Sequence, residues 1–255
     1  MYKHIFDTHA HYDDFKFEED RDTVLSELPA NGVEYVVNCG CDLKSCKKSI
    51  EICESFDYFY CALGIHPSEI NDNADAEFDE IKRLSDYEKC VAVGEIGLDY
   101  HYDFVPHDRQ LAFFEKQLQF ATEKNLPVIV HDREAHEDTL TLLKKYRPKG
   151  VLHCFSGSVE MAKEIIKLGM YIGLGGAVTF KNARKPLEVA EYLPEDRLLL
   201  ETDCPYMAPV PNRGKRCTSD MIALTAEKIA EVRKTDTQQL IDKTKQNAFE
   251  LFSIK

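Results

Sequence analysis

Apolar and polar positions along the chain follow two periods that alternate from one end to the other. Short β-rich runs cover His4–His9, Glu34–Asn38, Tyr58–Gly64, Cys90–Glu95, Pro127–His131, Gly150–His153, Met170–Leu174 and Arg197–Asp203. Between them lie stretches with apolar residues at three- and four-residue steps, such as Leu111, Phe114, Leu118 and Ala121 within Asp108–Lys124, the spacing of one helix face. Glu137–Tyr146, Val159–Leu168 and Ser219–Arg233 repeat this pattern. Gly32, Gly150 and Gly169 stand where helices should stop, and Pro127 opens the fifth strand. Val128-Ile129-Val130 and Leu198-Leu199-Leu200 are apolar without alternation, which marks strands covered on both faces and hence a parallel sheet under helices. Eight such strands in 255 residues predict a single (β/α)8 TIM barrel over 1–255, with an extra C-terminal helix over Asp236–Phe252. An open doubly wound sheet fits less well, because Asp7-Thr8-His9-Ala10-His11 is not a glycine-rich phosphate loop.

Composition changes this picture little. Hydrophobic residues make up 44% and charged residues 30%, an ordinary globular balance. The nine cysteines include no C-x-x-C pair, so a reducing cytoplasm is expected, and Cys39-Gly40-Cys41 reads as structural. The start does not resemble a signal peptide, and no run approaches the roughly 18 apolar residues of a membrane span. A net charge of −13 argues against a broad basic face for nucleic acid. It leaves room for an anion held locally by metals and a few basic side chains.

The candidate chemistry lies at the strand ends. Asp7, His9 and His11 are spaced by two, so an extended chain points them to one face. Glu95, His131, His153 and Asp203 each end a predicted strand, at the rim where barrel enzymes carry their active sites. Grouping four imidazoles and two carboxylates (His9, His11, Glu95, His131, His153, Asp203) is costly unless cations compensate. Six ligands exceed the three of an open zinc site and suit two divalent ions (Zn, Mn or Mg) sharing a carboxylate. Glu95 is the expected bridge, with His9, His11 and Asp203 on one ion and His131 and His153 on the other. Two such ions, less two carboxylates and one hydroxide, leave about +1 at the centre, which favours an anionic substrate.

Five segments carry a further signal: Asp7-Thr8-His9-Ala10-His11, Gly64-Ile65-His66-Pro67, Gly94-Glu95-Ile96-Gly97-Leu98-Asp99-Tyr100, His153-Cys154-Phe155-Ser156-Gly157 and Glu201-Thr202-Asp203-Cys204-Pro205-Tyr206. In this order they resemble the TatD family of metal-dependent deoxyribonucleases. The resemblance implies an amidohydrolase-type barrel with a binuclear metal centre, the same six ligands, and hydrolysis of DNA phosphodiesters, often from a 3′ end. The expected reaction is attack on phosphorus by a water activated by two metals, oriented or deprotonated by Asp203. His66 is expected to reach the phosphate or its leaving oxygen, the alternative being a turn histidine held by Pro67. In Arg213-Gly214-Lys215-Arg216, Arg213 and Arg216 are expected to clamp phosphate oxygens. Asp7, Asp99, Tyr100 and Glu201 are expected to orient ligands.

Two positions depart from the family pattern. Ser68 stands where many members have a second histidine, and Cys217-Thr218-Ser219 replaces a motif of Asn, an acidic or amide residue, and Pro. Single-stranded DNA is the expected partner, with no obligate protein partner. The rival enzyme is a deacylase or esterase acting on a carbonyl, such as an aminoacyl-RNA ester. Many barrels of that kind bridge their metals with a carboxylated lysine rather than a glutamate. A non-catalytic metal- or nucleic-acid-binding protein is the rival from another class, but none of the six ligand positions is damaged.

Overall fold

Each apolar run of the chain pairs with the run that follows it. The computed structural model describes residues 2–254; Met1 and Lys255, the ends of the domain expected over 1–255, lie outside the described residues. The strands are β1 (Ile5–Ala10), β2 (Val33–Cys39), β3 (Phe59–Leu63), β4 (Cys90–Asp99), β5 (Val128–Arg133), β6 (Gly150–Leu152), β7 (Tyr171–Leu174) and β8 (Leu198–Leu200). All neighbouring pairs from β1–β2 to β7–β8 are parallel and in chain order. The helices are α1 (Arg21–Glu27), α2 (Leu43–Ser55), α3 (Ala74–Leu84), α4 (His107–Lys124), α5 (His136–Tyr146), α6 (Val159–Lys167), α7 (Arg184–Tyr192), α8 (Ile222–Arg233) and α9 (Thr237–Phe252). This is the expected (β/α)8 barrel.

Parallel strands must bury both faces, and here they do so in two separate clusters. Phe6, Val37, Ala62, Ala92, Ile129, Val151, Tyr171 and Leu199, one from each strand, fill the barrel interior together with Ala248, Leu251 and Phe252 of α9. Most of these strand residues lie near the strand starts, so α9 closes the N-terminal end of the barrel. The intervening residues, such as Ile5, Val36, Val93 and Ile172, pack outward against Phe114, Leu118, Ile165 and Ile229 of the helices. No helix among the described residues is long and apolar enough to cross a membrane.

The last seam, between β8 and β1, is closed differently. Its only bridge pairs Ala10 with Cys204, supported by Asp203 N donating to His9 O at 3.0 Å and His11 N to Cys204 O at 2.8 Å. Side chains do the rest. The buried Asp7 carboxylate accepts from His9 N, Thr202 N, Thr202 Oγ1 and Ser219 Oγ, and Thr8 Oγ1 donates to Leu200 O. This corrects the expected role of Asp7: the β1–β2 register shifts between Asp7 and Ala10, and its carboxylate joins the seam rather than the face of the His9 and His11 rings. Ser219, one of the two departures from the family pattern, belongs to the same network.

The strand ends also differ from expectation. β4 runs on to Asp99, which puts Glu95 inside a strand rather than at its end. Gly97 permits this: at φ +146° a Cβ there would stand 2.0 Å from His131 O, so only glycine allows β4 and β5 to stay paired. Conversely, β6 stops at Leu152 and β8 at Leu200, so His153 and Asp203 lie just beyond their strands.

Candidate metal centre

Three strands, β1, β4 and β5, and the three connections after β1, β6 and β8 bring the predicted ligands to the C-terminal mouth of the barrel. Glu95 is its hub, 3% exposed. Its Oε2 lies 3.3 Å from both His9 Nε2 and His11 Nε2. Its Oε1 lies 2.8 Å from both His131 Nδ1 and His153 Nε2. Asp203 adds Oδ1 at 3.6 Å from His9 Nε2 and 3.4 Å from His11 Nε2. Asp203 adopts φ 63°, a left-handed backbone uncommon outside glycine and frequent at functional sites. The two oxygens of one carboxylate thus face two different imidazole pairs, the geometry that a carboxylate shared between two ions requires.

The donor set suits cations on independent grounds. His11 Nδ1 lies 2.8 Å from the Cys39 carbonyl and donates to it, leaving Nε2 as a lone pair in the neutral ring. That Nε2 is only 2.9 Å from His9 Nε2. Burial lowers His9 to about 4, so its ring is neutral near pH 7. Burial acts in the same direction on His11, His131 and His153, yet all three are raised, His131 to about 9. Cys41 and Asp203 raise His11, Asp99 and Glu95 raise His131, and Glu95 raises His153. The cluster draws positive charge inward. Glu95 itself, despite its burial, is held well below the usual carboxylate range by His153 and His9.

One consequence is measurable. His131, raised to about 9, carries a proton near pH 7 that a divalent ion must displace, and His11 and His153 are shifted the same way, so metal binding is expected to release at least about one proton per chain and to weaken as pH falls. Calorimetric titration in buffers of different ionisation enthalpy reads this number, and zero release would contradict it.

The supporting residues are only partly those expected. His153 Nδ1 and Glu201 Oε2 are buried without partners, and His153 Nδ1 is 3.8 Å from Glu201 Oε1. A cation on Nε2 leaves the proton on Nδ1, facing a carboxylate as behind many metal-bound histidines. Burial pushes Glu201 up to about 8. Room for it comes from Gly173 on β7, where a Cβ would stand 2.3 Å from Glu201 Oε2. Asp99 Oδ2 lies 3.2 Å from His131 Nε2. Tyr100, in contrast, donates to Asp138 and stacks on His107; its hydroxyl is engaged by α5 and orients no ligand.

His66 sits in the turn after β3 with its ring turned toward the cluster. Its Nδ1 accepts from Ser68 N at 3.2 Å and lies 2.8 Å from Ser68 Oγ, so Ser68 fixes the ring in the turn after β3. Its Nε2 points inward, 3.6 Å from Glu95 Oε1.

The two arginines do not join the cluster. Arg216 forms a two-pronged ion pair with Asp20, at 2.7 and 2.6 Å, and lies over Phe17. Its fork is occupied by a partner far away in sequence. The Arg213 guanidinium stacks on Phe180, 4.3 Å from the ring centroid. Neither lines the cleft that holds the ligands, so the structure does not bring the expected clamp together with the cluster. Arg133 does line that cleft; it lies over Tyr102 and makes no ion pair among the described residues. Sequence spacing contained this signal, since Arg133 follows His131 by two in an extended strand. Cys41, read as structural, also borders the cleft, with Sγ 3.7 Å from Glu95 Oε2.

Comparison with known proteins agrees with this geometry. The family model described as TatD related DNase matches residues 6–253. The chain is 43% identical over 253 residues to the uncharacterized metal-dependent hydrolase YabD of Bacillus subtilis, covering 98% of this chain and 99% of that protein. It is 32% identical over 260 residues to the 3′-5′ ssDNA/RNA exonuclease TatD of Salmonella typhimurium, with coverage of 98% and 99%. Among solved structures, the TatD homolog YJJV of Escherichia coli K12 superposes with a TM-score of 0.93 at 30% identity, over 100% of both chains. With its barrel, its histidine–carboxylate cluster and this full-length similarity, the chain belongs to the TatD family of metal-dependent hydrolases.

Proposed function

We propose that this hydrolase cleaves phosphodiester bonds of single-stranded DNA, working from a 3′ end, at a centre built on Glu95. The observation that carries the reading is the two-sided environment of Glu95, together with an arginine free of ion pairs, Arg133, in the same cleft. Two divalent ions (Zn, Mn or Mg) held there would lower the pKa of a water toward neutrality and offset charge on the phosphate. His9, His11 and Asp203 would hold one and His131 and His153 the other, with Glu95 between them.

The remaining roles follow from exposure and tautomer. The Asp203 side chain is 21% exposed against 4% for Glu95, so Asp203 is the carboxylate that meets water in the cleft and orients it or takes its proton. Burial drives His66 down to about 3. The ring is neutral, and with Nδ1 accepting from Ser68 N its proton sits on Nε2, ready to donate to a phosphate or leaving oxygen. Arg133 offers a fork to the non-bridging oxygens. An unpaired cation supports a phosphate-bearing substrate over a neutral ester or amide, which needs none. The Salmonella relative's name supports the polarity and the single-stranded substrate. Nine free cysteines suit a reducing cytoplasm.

The test is digestion of end-labelled single-stranded DNA by protein stripped of metal and resupplied with Mg, Mn or Zn. A ladder shortening from the 3′ end, lost in Asp203→Ala, is the expected result. No cleavage by protein that has taken up metal would overturn the assignment and turn attention to esters. In the same assay Arg133→Ala should raise KM about tenfold or more, the loss of a charged hydrogen bond. Arg216→Ala, whose partner is Asp20, should change KM by less than about twofold. The reverse ranking would return the clamp to the loop after β8.

A further inference from the structure

Large apolar side chains that stand exposed are unevenly distributed over this molecule. Among the described residues they are Phe15, Tyr102, Phe104, Tyr192, Tyr206 and Val210. All but Tyr192 lie on connections that follow β1, β4 and β8, at the mouth of the barrel. Aromatic surface gathered on one face marks a surface that something covers.

Two of these side chains are already arranged for a planar partner. The rings of Tyr102 and Phe104, on the connection between β4 and α4, lie parallel at 6° with centroids 5.1 Å apart. His101 meets Tyr102 edge-on at 4.7 Å, and the Arg133 guanidinium lies 5.1 Å from the Tyr102 centroid. Tyr102 and Arg133 both line the cleft of the candidate ligands. Phe104, the outer ring, is 74% exposed, and among the described residues Tyr102 is its one aromatic neighbour. A cation, a stack and an open ring face therefore lead away from the cluster in that order.

We propose that Tyr102 and Phe104 form a stacking platform for the bases of a single-stranded nucleic acid whose scissile phosphate lies in the cleft beside Arg133. The inference rests on the phosphodiesterase reading above and deepens it. Stacked rings beside an unpaired arginine match the alternation of base and phosphate along a strand, which a lipid or an apolar peptide does not offer. Bases within a duplex are already stacked on each other, so the platform selects unpaired strands. Because every base presents a π face, it discriminates little by sequence. Tyr102 and Phe104 are positioning residues that hold the strand, and the chemistry stays with the cluster.

The test uses the metal-loaded protein and two probes. Binding of a fluorescent decathymidylate with hydrolysis-resistant phosphorothioate linkages reads the platform, while kcat for the small diester bis(4-nitrophenyl) phosphate, measured at saturation, reads the chemistry. Tyr102→Ala and Phe104→Ala should each weaken oligonucleotide binding by about 5- to 100-fold, and Phe104→Ala, whose ring does not line the cleft, should leave kcat for the small diester unchanged. Tyr102→Phe should bind like wild type. Removing bases from the oligonucleotide should weaken binding to wild type and have no further effect on the double variant. Wild-type binding by both alanine variants would overturn the platform and leave the nuclease reading standing. A wild-type protein that neither binds nor cleaves any oligonucleotide would remove both.

Discussion

Replacing Glu95 with alanine is expected to reduce metal-dependent hydrolysis by more than about 100-fold, since even residues that merely support metal ligands cost 10–100-fold when removed. The reason is its place at the centre. Five imidazoles, those of His9, His11, His66, His131 and His153, approach its two oxygens within 3.6 Å. Without this carboxylate, the two groups of ligands lose their common anion, and any imidazole that holds a proton repels a metal ion at its neighbours. Metal content by mass spectrometry should fall along with kcat/KM. Glu95→Gln preserves shape and removes charge, so it should fail as completely as alanine. Activity within tenfold of wild type in either variant would show that Glu95 is not the shared ligand.

The second large effect concerns stability. Asp7 accepts four hydrogen bonds at the β8–β1 seam, where backbone pairing is reduced to a single bridge. Asp7→Ala leaves buried donors on Thr202 and Ser219 unsatisfied, and is expected to cost about 3–5 kcal/mol in urea denaturation. The pH dependence gives a finer test. Burial raises Asp7 from 3.8 to about 6 in spite of its donors. A raised carboxyl contributes its full stability below the unfolded pKa and loses it as pH rises through the folded one. Wild type should therefore lose about 2–3 kcal/mol relative to Asp7→Asn, which cannot ionise, between roughly pH 4 and pH 7. A difference independent of pH would mean that Asp7 is ionised in the fold throughout.

These two residues also mark what could be read in advance. Unbroken apolar runs such as Val128-Ile129-Val130 announce a strand buried on both faces, because no other short element needs so continuous a pattern. The positions of His9, Glu95, His131 and Asp203 after or within such runs bring them to one rim by topology alone. Spacing is a weaker guide where the backbone departs from a regular strand. Period two predicts one face for Asp7 and His9, yet the register shift in β1 sends Asp7 to the seam. Glu95 sits inside its strand because Gly97 keeps β4 paired beyond it. Partners remote in sequence are least legible: nothing in Arg213-Gly214-Lys215-Arg216 announces that Asp20, 196 residues away, will occupy Arg216. Nor does the sequence reveal that Tyr102 and Phe104, two residues apart in a connection, stack in parallel.

The most direct test of the account is a crystal structure of the metal-loaded protein with data collected at the absorption edge of the bound metal. Two anomalous peaks on either side of the Glu95 carboxylate are predicted, one near His9, His11 and Asp203 and the other near His131 and His153. A single peak, or peaks that leave Glu95 uncoordinated at full metal loading, would contradict the shared-carboxylate centre on which the proposed chemistry depends.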